Sequence, residues 1–154
     1  MNFLGRAILA MACAGALLAA DSFFLGSWKI ESAAVAPWWT EGGKPDATES
    51  KSLAGKTVVF TPGGVSGPGI LGCKGPHYKV VEVPADGLFQ GAFDEMHRLD
   101  PHADPAKLAE QAGFRGKSWK SLQTGCASEI DFHFMDDNTA AFGLNNYVYV
   151  LKRR

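Results

Sequence analysis

No H-E-x-x-H, C-x-x-C or G-x-S-x-G occurs in the 154 residues, so the common zinc, thiol-redox and serine-hydrolase signatures are missing. No internal repeat and no low-complexity tract is present. Charge of either sign is not in excess: 15 basic residues face 16 acidic ones, which gives no electrostatic argument for nucleic acid as a partner. No apolar run reaches the roughly 20 residues that a spanning helix needs. Cysteine is scarce, at three residues.

Three letter-perfect or near matches fail on context. Gly67-Pro68-Gly69-Ile70-Leu71-Gly72 spells G-x-G-x-x-G, but Cys73-Lys74-Gly75-Pro76 follows where a pyrophosphate-binding helix would have to start. Gly116-Lys117-Ser118 resembles the end of a P-loop, but position 111 is glutamine where the first glycine belongs. Asp100-Pro101-His102-Ala103-Asp104 opens like a calcium loop and then places Pro105 at the glycine position.

What is present begins with an export signal. Arg6 is followed by the apolar run Ala7 to Leu18, then by small residues Ala19 and Ala20 before Asp21-Ser22. Residues 1–20 therefore read as a signal peptide, and 21–154 as one β-rich domain delivered to the periplasm or secreted. A retained anchor is the alternative, and Ala10-Met11-Ala12-Cys13 makes a poor lipidation site because apolar residues continue beyond it. With the signal removed no membrane span remains. Cys73 and Cys126 are then the two cysteines left, and an oxidising compartment favours pairing them. Such a bridge closes a loop of about 50 residues and contributes on the order of 3–4 kcal/mol. Two buried thiols, or a bridge between chains, are the other arrangements.

Periodicity predicts an all-β, mainly antiparallel fold, a small barrel or sandwich of seven to eight short strands. Alternation marks strands at 25–31, 77–83 and 130–134, and turn signals set off further short strands at 56–60, 70–73, 118–126, 139–144 and 147–151. Asp136-Asp137-Asn138 is a hairpin turn. One short helix is predicted near 105–112, with Asp104 as N-cap, Pro105 in the first turn and Gly113 as the stop. Residues 37–52, polar and rich in Gly and Pro around Trp38-Trp39, read as a long loop or lid.

Candidate functional residues divide into four groups. Tyr78, Phe132, Phe142 and Tyr147 are wall candidates if the sheet encloses a cavity, although ordinary core packing accounts for each singly. Trp38 and Trp39 cannot both bury easily in such a loop, so they mark a contact surface. His133 lies between Phe132 and Phe134 on the opposite strand face beside Asp131 and Met135, facing solvent or lining a pocket. His97 and His102, near Met96 and several carboxylates, are weak metal candidates, and a polar loop leading into the helix is the plainer explanation. For acid–base or metal chemistry His133 with Asp131 or Asp137, or the His97/His102 group, would have to serve, with no nucleophile spaced beside them.

Gly26-Ser27-Trp28 at the first strand resembles the G-x-W opening of lipocalins and related calycin barrels. The resemblance implies an eight-stranded barrel whose end is closed by Trp28, packed under a basic residue from the tail: Lys152, Arg153 or Arg154, with Arg153 the choice. It departs from that family in lacking the T-D-x turn motif and in placing its helix before the last three strands. The stretch from Ile130-Asp131-Phe132-His133-Phe134 to Phe142-Gly143-Leu144-Asn145-Asn146 also resembles small exported bacterial proteins of unassigned activity. The expectation is a non-enzymatic exported binding protein for a small apolar or amphipathic ligand, with no cofactor. An envelope interaction module or inhibitor using the 37–52 loop is the alternative, and a metal-binding protein or hydrolase ranks below both.

Overall fold

The computed structural model describes residues 22–154; the signal segment at 1–20 lies outside them. Nine strands form one antiparallel sheet: β1 (Gly26–Val35), β2 (Thr57–Thr61), β3 (Gly64–Ser66), β4 (Cys73–Lys74), β5 (Lys79–Pro84), β6 (Ser118–Gln123), β7 (Asp131–Asp136), β8 (Thr139–Leu144) and β9 (Tyr147–Arg153). Their spatial order is β4-β3-β2-β1-β9-β8-β7-β6-β5. Three helices accompany them: α1 (Thr48–Leu53), α2 (Ala92–Leu99) and α3 (Pro105–Gln111). The sheet curls into a half-barrel, with one strand more than the predicted upper count and two more helices.

Chain connectivity forces the curl. Strands β4 and β5 sit at opposite edges, yet only residues 75–78 join them, a span of at most about 18 Å. Nine flat strands would separate those edges by about 38 Å. The Cys73–Cys126 disulfide, Cα–Cα 5.9 Å, pins this closure by tying β4 to the segment after β6. Tyr78 supports it from the connecting segment, its hydroxyl lying 2.9 Å from the Thr61 carbonyl and 3.1 Å from that of Gly64.

The concave face is packed with side chains. Trp28, Ile30, Phe60, Leu122, Phe132, Phe142, Tyr149 and Leu151 are all buried there. Alternation along β7 to β9 supplies this face with Phe132 and Phe134, with Ala140 and Phe142, and with Tyr147, Tyr149 and Leu151. The convex face of the same strands has a core of its own, including Ala141, Val148, Leu88, Phe89, Phe93, Phe114 and Trp119. Its cover is the excursion between β5 and β6: a kinked segment at Ala85–Gly91, then α2 and α3.

Local signals explain α3. The Asp104 carboxylate accepts from the Ala106 N–H at 2.9 Å, and Pro105 opens the helix. Gly113, at φ 93°, turns the chain out; its N–H meets the Glu110 carbonyl and that of Phe114 the Ala109 carbonyl, the paired bonds of a Schellman ending. Helix α2 falls where the sequence reading places a polar loop. Its apolar positions Ala92, Phe93, Met96 and Leu99 follow a helical spacing, and Asp94 and Glu95 occupy its first turn.

The tail meets the first strand as the G-x-W resemblance implies. Trp28 and Arg153 are cross-strand neighbours, with the guanidinium 4.3 Å from the indole centroid. Arg153 also donates to the carbonyls of Phe23, Leu25 and Asp137, and the Trp28 N–H donates to Phe24 at 2.8 Å. Gly26 is required beneath it: its φ is +116°, and a Cβ there would lie 3.4 Å from Arg153 Nη1.

Two outcomes follow. Reducing the disulfide is expected to lower the unfolding free energy in urea by about 4 kcal/mol, the loop-closure value for its 53-residue separation; a loss below about 1 kcal/mol would show that the strand edges are held by other means. Arg153→Ala should cost about 2–4 kcal/mol. Arg153→Lys should restore less than half, because an ammonium cannot reach three carbonyls from above the ring.

Candidate functional site

The aromatic residues expected to wall a cavity are engaged with one another. Phe132 sits edge-on to Phe60 at 4.9 Å and 5.4 Å from Phe142, which stacks on Tyr149 at 4.9 Å. The Tyr78 ring packs 4.8 Å from Phe24, and burial raises its hydroxyl above the ordinary range. The Tyr147 hydroxyl donates to the Pro45 carbonyl at 3.1 Å. The concave face is therefore filled by its own side chains.

The 37–52 stretch is not a free lid. Its second half winds into α1, whose Leu53 enters the concave core. Glu49 accepts from the Tyr149 hydroxyl at 3.1 Å and from the Asn145 amide at 2.7 Å. Burial, then the Glu49 charge, push the Tyr149 hydroxyl well above its ordinary range. Trp39 is half-buried, with its N–H 3.4 Å from the Gly43 carbonyl.

Trp38 crosses to the convex face. Its N–H donates to the Asn145 carbonyl at 2.8 Å, and its ring lies 5.4 Å from Phe89 and 6.3 Å from Phe93. Gly143 makes room for it: a Cβ there would come within 2.9 Å of the indole. One side of Trp38 thus rests on the convex core, while the other lines a surface groove of about 460 Å³. Ala92, Met96, Leu99 and Ala103 supply the rest of its apolar lining, and Leu99 is 78% exposed. The remaining lining residues include two carboxylates, Glu95 and Asp100, and no basic group. Only Trp38 of this set is a contact residue by sequence; the helical spacing of Ala92, Met96 and Leu99 is the signal that finds its neighbours.

His133 neither faces solvent nor lines an opening. The excursion over the convex face leaves it 0% exposed. Its Nε2 accepts from the Phe89 N–H at 2.8 Å, so the neutral ring carries its proton on Nδ1, 2.5 Å from Ser121 Oγ. Phe89 and Gln90 are held at φ 52° and 55°, left-handed for side chains that rarely adopt it, and the His133 contact anchors that bend. A serine–histidine pair invites a hydrolytic reading. Here both side chains are fully buried and both ring nitrogens are occupied, so the pair holds the cover on the sheet. Asp131 lies apart, lining a polar recess of about 360 Å³ with Gln90, Gln123 and Glu129. Burial raises its carboxyl, against a hydrogen bond from Gln123.

His97 donates Nδ1–H to the Ala103 carbonyl at 2.9 Å, tying α2 to the segment that follows it. The backbone N–H of His102 donates to Asp100. Among the described residues no three His, Cys, Asp or Glu side chains are grouped to hold a metal ion. Among them, too, no helix is long and apolar enough to cross a membrane.

Comparison with models of known protein families finds no match, and comparisons with curated proteins and with solved structures find none either. The likeness to lipocalins consists of the curled antiparallel sheet and the Trp28–Arg153 contact, and no family is assigned.

Burial lowers the His133 pKa from its ordinary 6.5 to about 3. The unfolded chain thus binds a proton between these values that the folded chain refuses, so this contribution is complete above pH 6.5 and is lost as pH falls toward 3. It is on the order of 5 kcal/mol. Urea unfolding from pH 3 to 8 should show His133→Gln losing less stability on acidification than the native protein; equal pH slopes would refute the neutral buried role.

Proposed function

We propose that this chain is an exported, non-enzymatic binding protein that engages a protein partner through the groove between Trp38 and α2. The observation that carries this reading is the preorganised apolar surface itself: a fixed indole opposite a leucine that is 78% exposed. Exposed apolar surface costs solubility, and on a small protein such a patch marks a contact site. Rigid aromatic walls favour binding because little side-chain freedom is lost on contact. Met96 adds an adaptable wall. Export is supported by the signal-like residues 1–20 and by the Cys73–Cys126 disulfide, which suits the periplasm or the exterior. An envelope inhibitor or an accessory subunit would use such a scaffold. The packed concave face argues against the lipocalin-like alternative, a small apolar ligand held among Tyr78, Phe132, Phe142 and Tyr147.

Titration of the ¹⁵N- and methyl-labelled protein with the neutral apolar probe N-phenyl-1-naphthylamine distinguishes the two. Shifts should gather at the Trp38 indole N–H and at the Met96 and Leu99 methyls, and Leu99→Glu should weaken them about tenfold or more. Shifts confined to Phe132, Phe142 and Tyr147 would transfer the binding site to the concave face and sink this reading.

A further inference from the structure

We propose that the groove receives a polypeptide segment that seats one large apolar side chain between Trp38 and Leu99 and carries lysine or arginine beside it. This deepens the proposal that the groove is the docking surface, and depends on it.

Shape points to a chain segment. At about 460 Å³ the groove has room for a bulky side chain, and with Leu99 78% exposed it is open along one flank. An open flank suits a chain passing across the surface better than an enclosed molecule.

Charge selects the flanking residues. Glu95 and Asp100 lie in the lining. Arg98, the arginine of α2, is drawn to Asp94 at 3.1 Å and to Glu95. The stretch from Asp94 to Asp100 thus holds three carboxylates against one arginine, net −2 with histidine neutral. Asp100 directly follows the last residue of α2, where the helix presents its negative end. A carboxylate there reinforces that negative potential, and the hydrogen bond from the His102 N–H occupies one oxygen without cancelling the charge. A cation from a partner meets both the carboxylate and the helix terminus, beside an apolar seat.

The test uses the disulfide-bonded, ¹⁵N-labelled protein and three blocked hexapeptides with a tryptophan-leucine centre flanked by lysine, glutamine or glutamate. At low salt the lysine peptide should shift the Trp38 indole signal with an affinity about tenfold above that of the glutamate peptide, the glutamine peptide falling between. The ratio should shrink at about 0.5 M salt. The double variant Glu95→Gln/Asp100→Asn should bring it close to one. Equal binding of the three peptides overturns the charge selection and leaves the groove as a docking surface. Binding of the naphthylamine probe without any peptide overturns the inference alone, and failure of both overturns the docking surface as well. A dimer in sedimentation that Leu99→Glu abolishes would assign the groove to a second copy and overturn the proposal.

Discussion

Lys74 ends a strand at one edge of the sheet and Lys79 begins a strand at the other, with four residues between them. That short connection is the constraint on which the rest of the molecule depends. The sheet must bring its edges together, so it is strongly curved, and the Cys73–Cys126 bridge makes the closure covalent. Curvature then gives the two faces unequal tasks. The concave face can satisfy itself with large side chains converging from many strands, whereas the convex face diverges and needs a separate cover.

The concave side meets its task with aromatics. Phe60, Phe132, Phe142 and Tyr149 fill it, and Trp28 lies under the Arg153 guanidinium where the first strand pairs with the last. Arg153 joins strand ends that are distant in sequence by donating to carbonyls on both. Helix α1 contributes Leu53 to the same core and receives tyrosine and asparagine donors on Glu49. The curled antiparallel sheet is a solid body, its concave side filled by its own side chains.

The convex side meets its task with the excursion from Ala85 to Gly113, and its surface groove is a by-product of that solution. His133 accepts the Phe89 N–H and so supports a left-handed bend that turns the chain toward α2. Phe89 and Phe93 in turn form the bed on which Trp38 lies, over the space left by Gly143. A buried neutral imidazole and a surface indole are thereby linked through one packed layer. Leu99, near the end of the same helix, is left outside that layer and completes the groove.

Features set by near neighbours were legible in the sequence. The span Thr139–Leu144 follows from the Asp136-Asp137-Asn138 hairpin turn before it, and α3 from Asp104, Pro105 and Gly113, because each depends on bonds within a few residues. The pairing of Cys73 with Cys126 is what the count of cysteines after the signal favours, and the structure contains it. Alternation in Phe132-His133-Phe134 likewise assigned the two rings to one face and the histidine to the other. Nothing local said what would cover that other face: the cover comes from residues some 20 to 45 positions earlier in the chain, folded back over the sheet. For the same reason Trp38-Trp39 could be recognised as unusual but not placed, since its seat is made by Gly143, Phe89 and Phe93 from distant segments. Short-range hydrogen bonding and side-chain periodicity determined the elements; packing between remote segments decided that the hollow is full, the histidine buried and the groove outside.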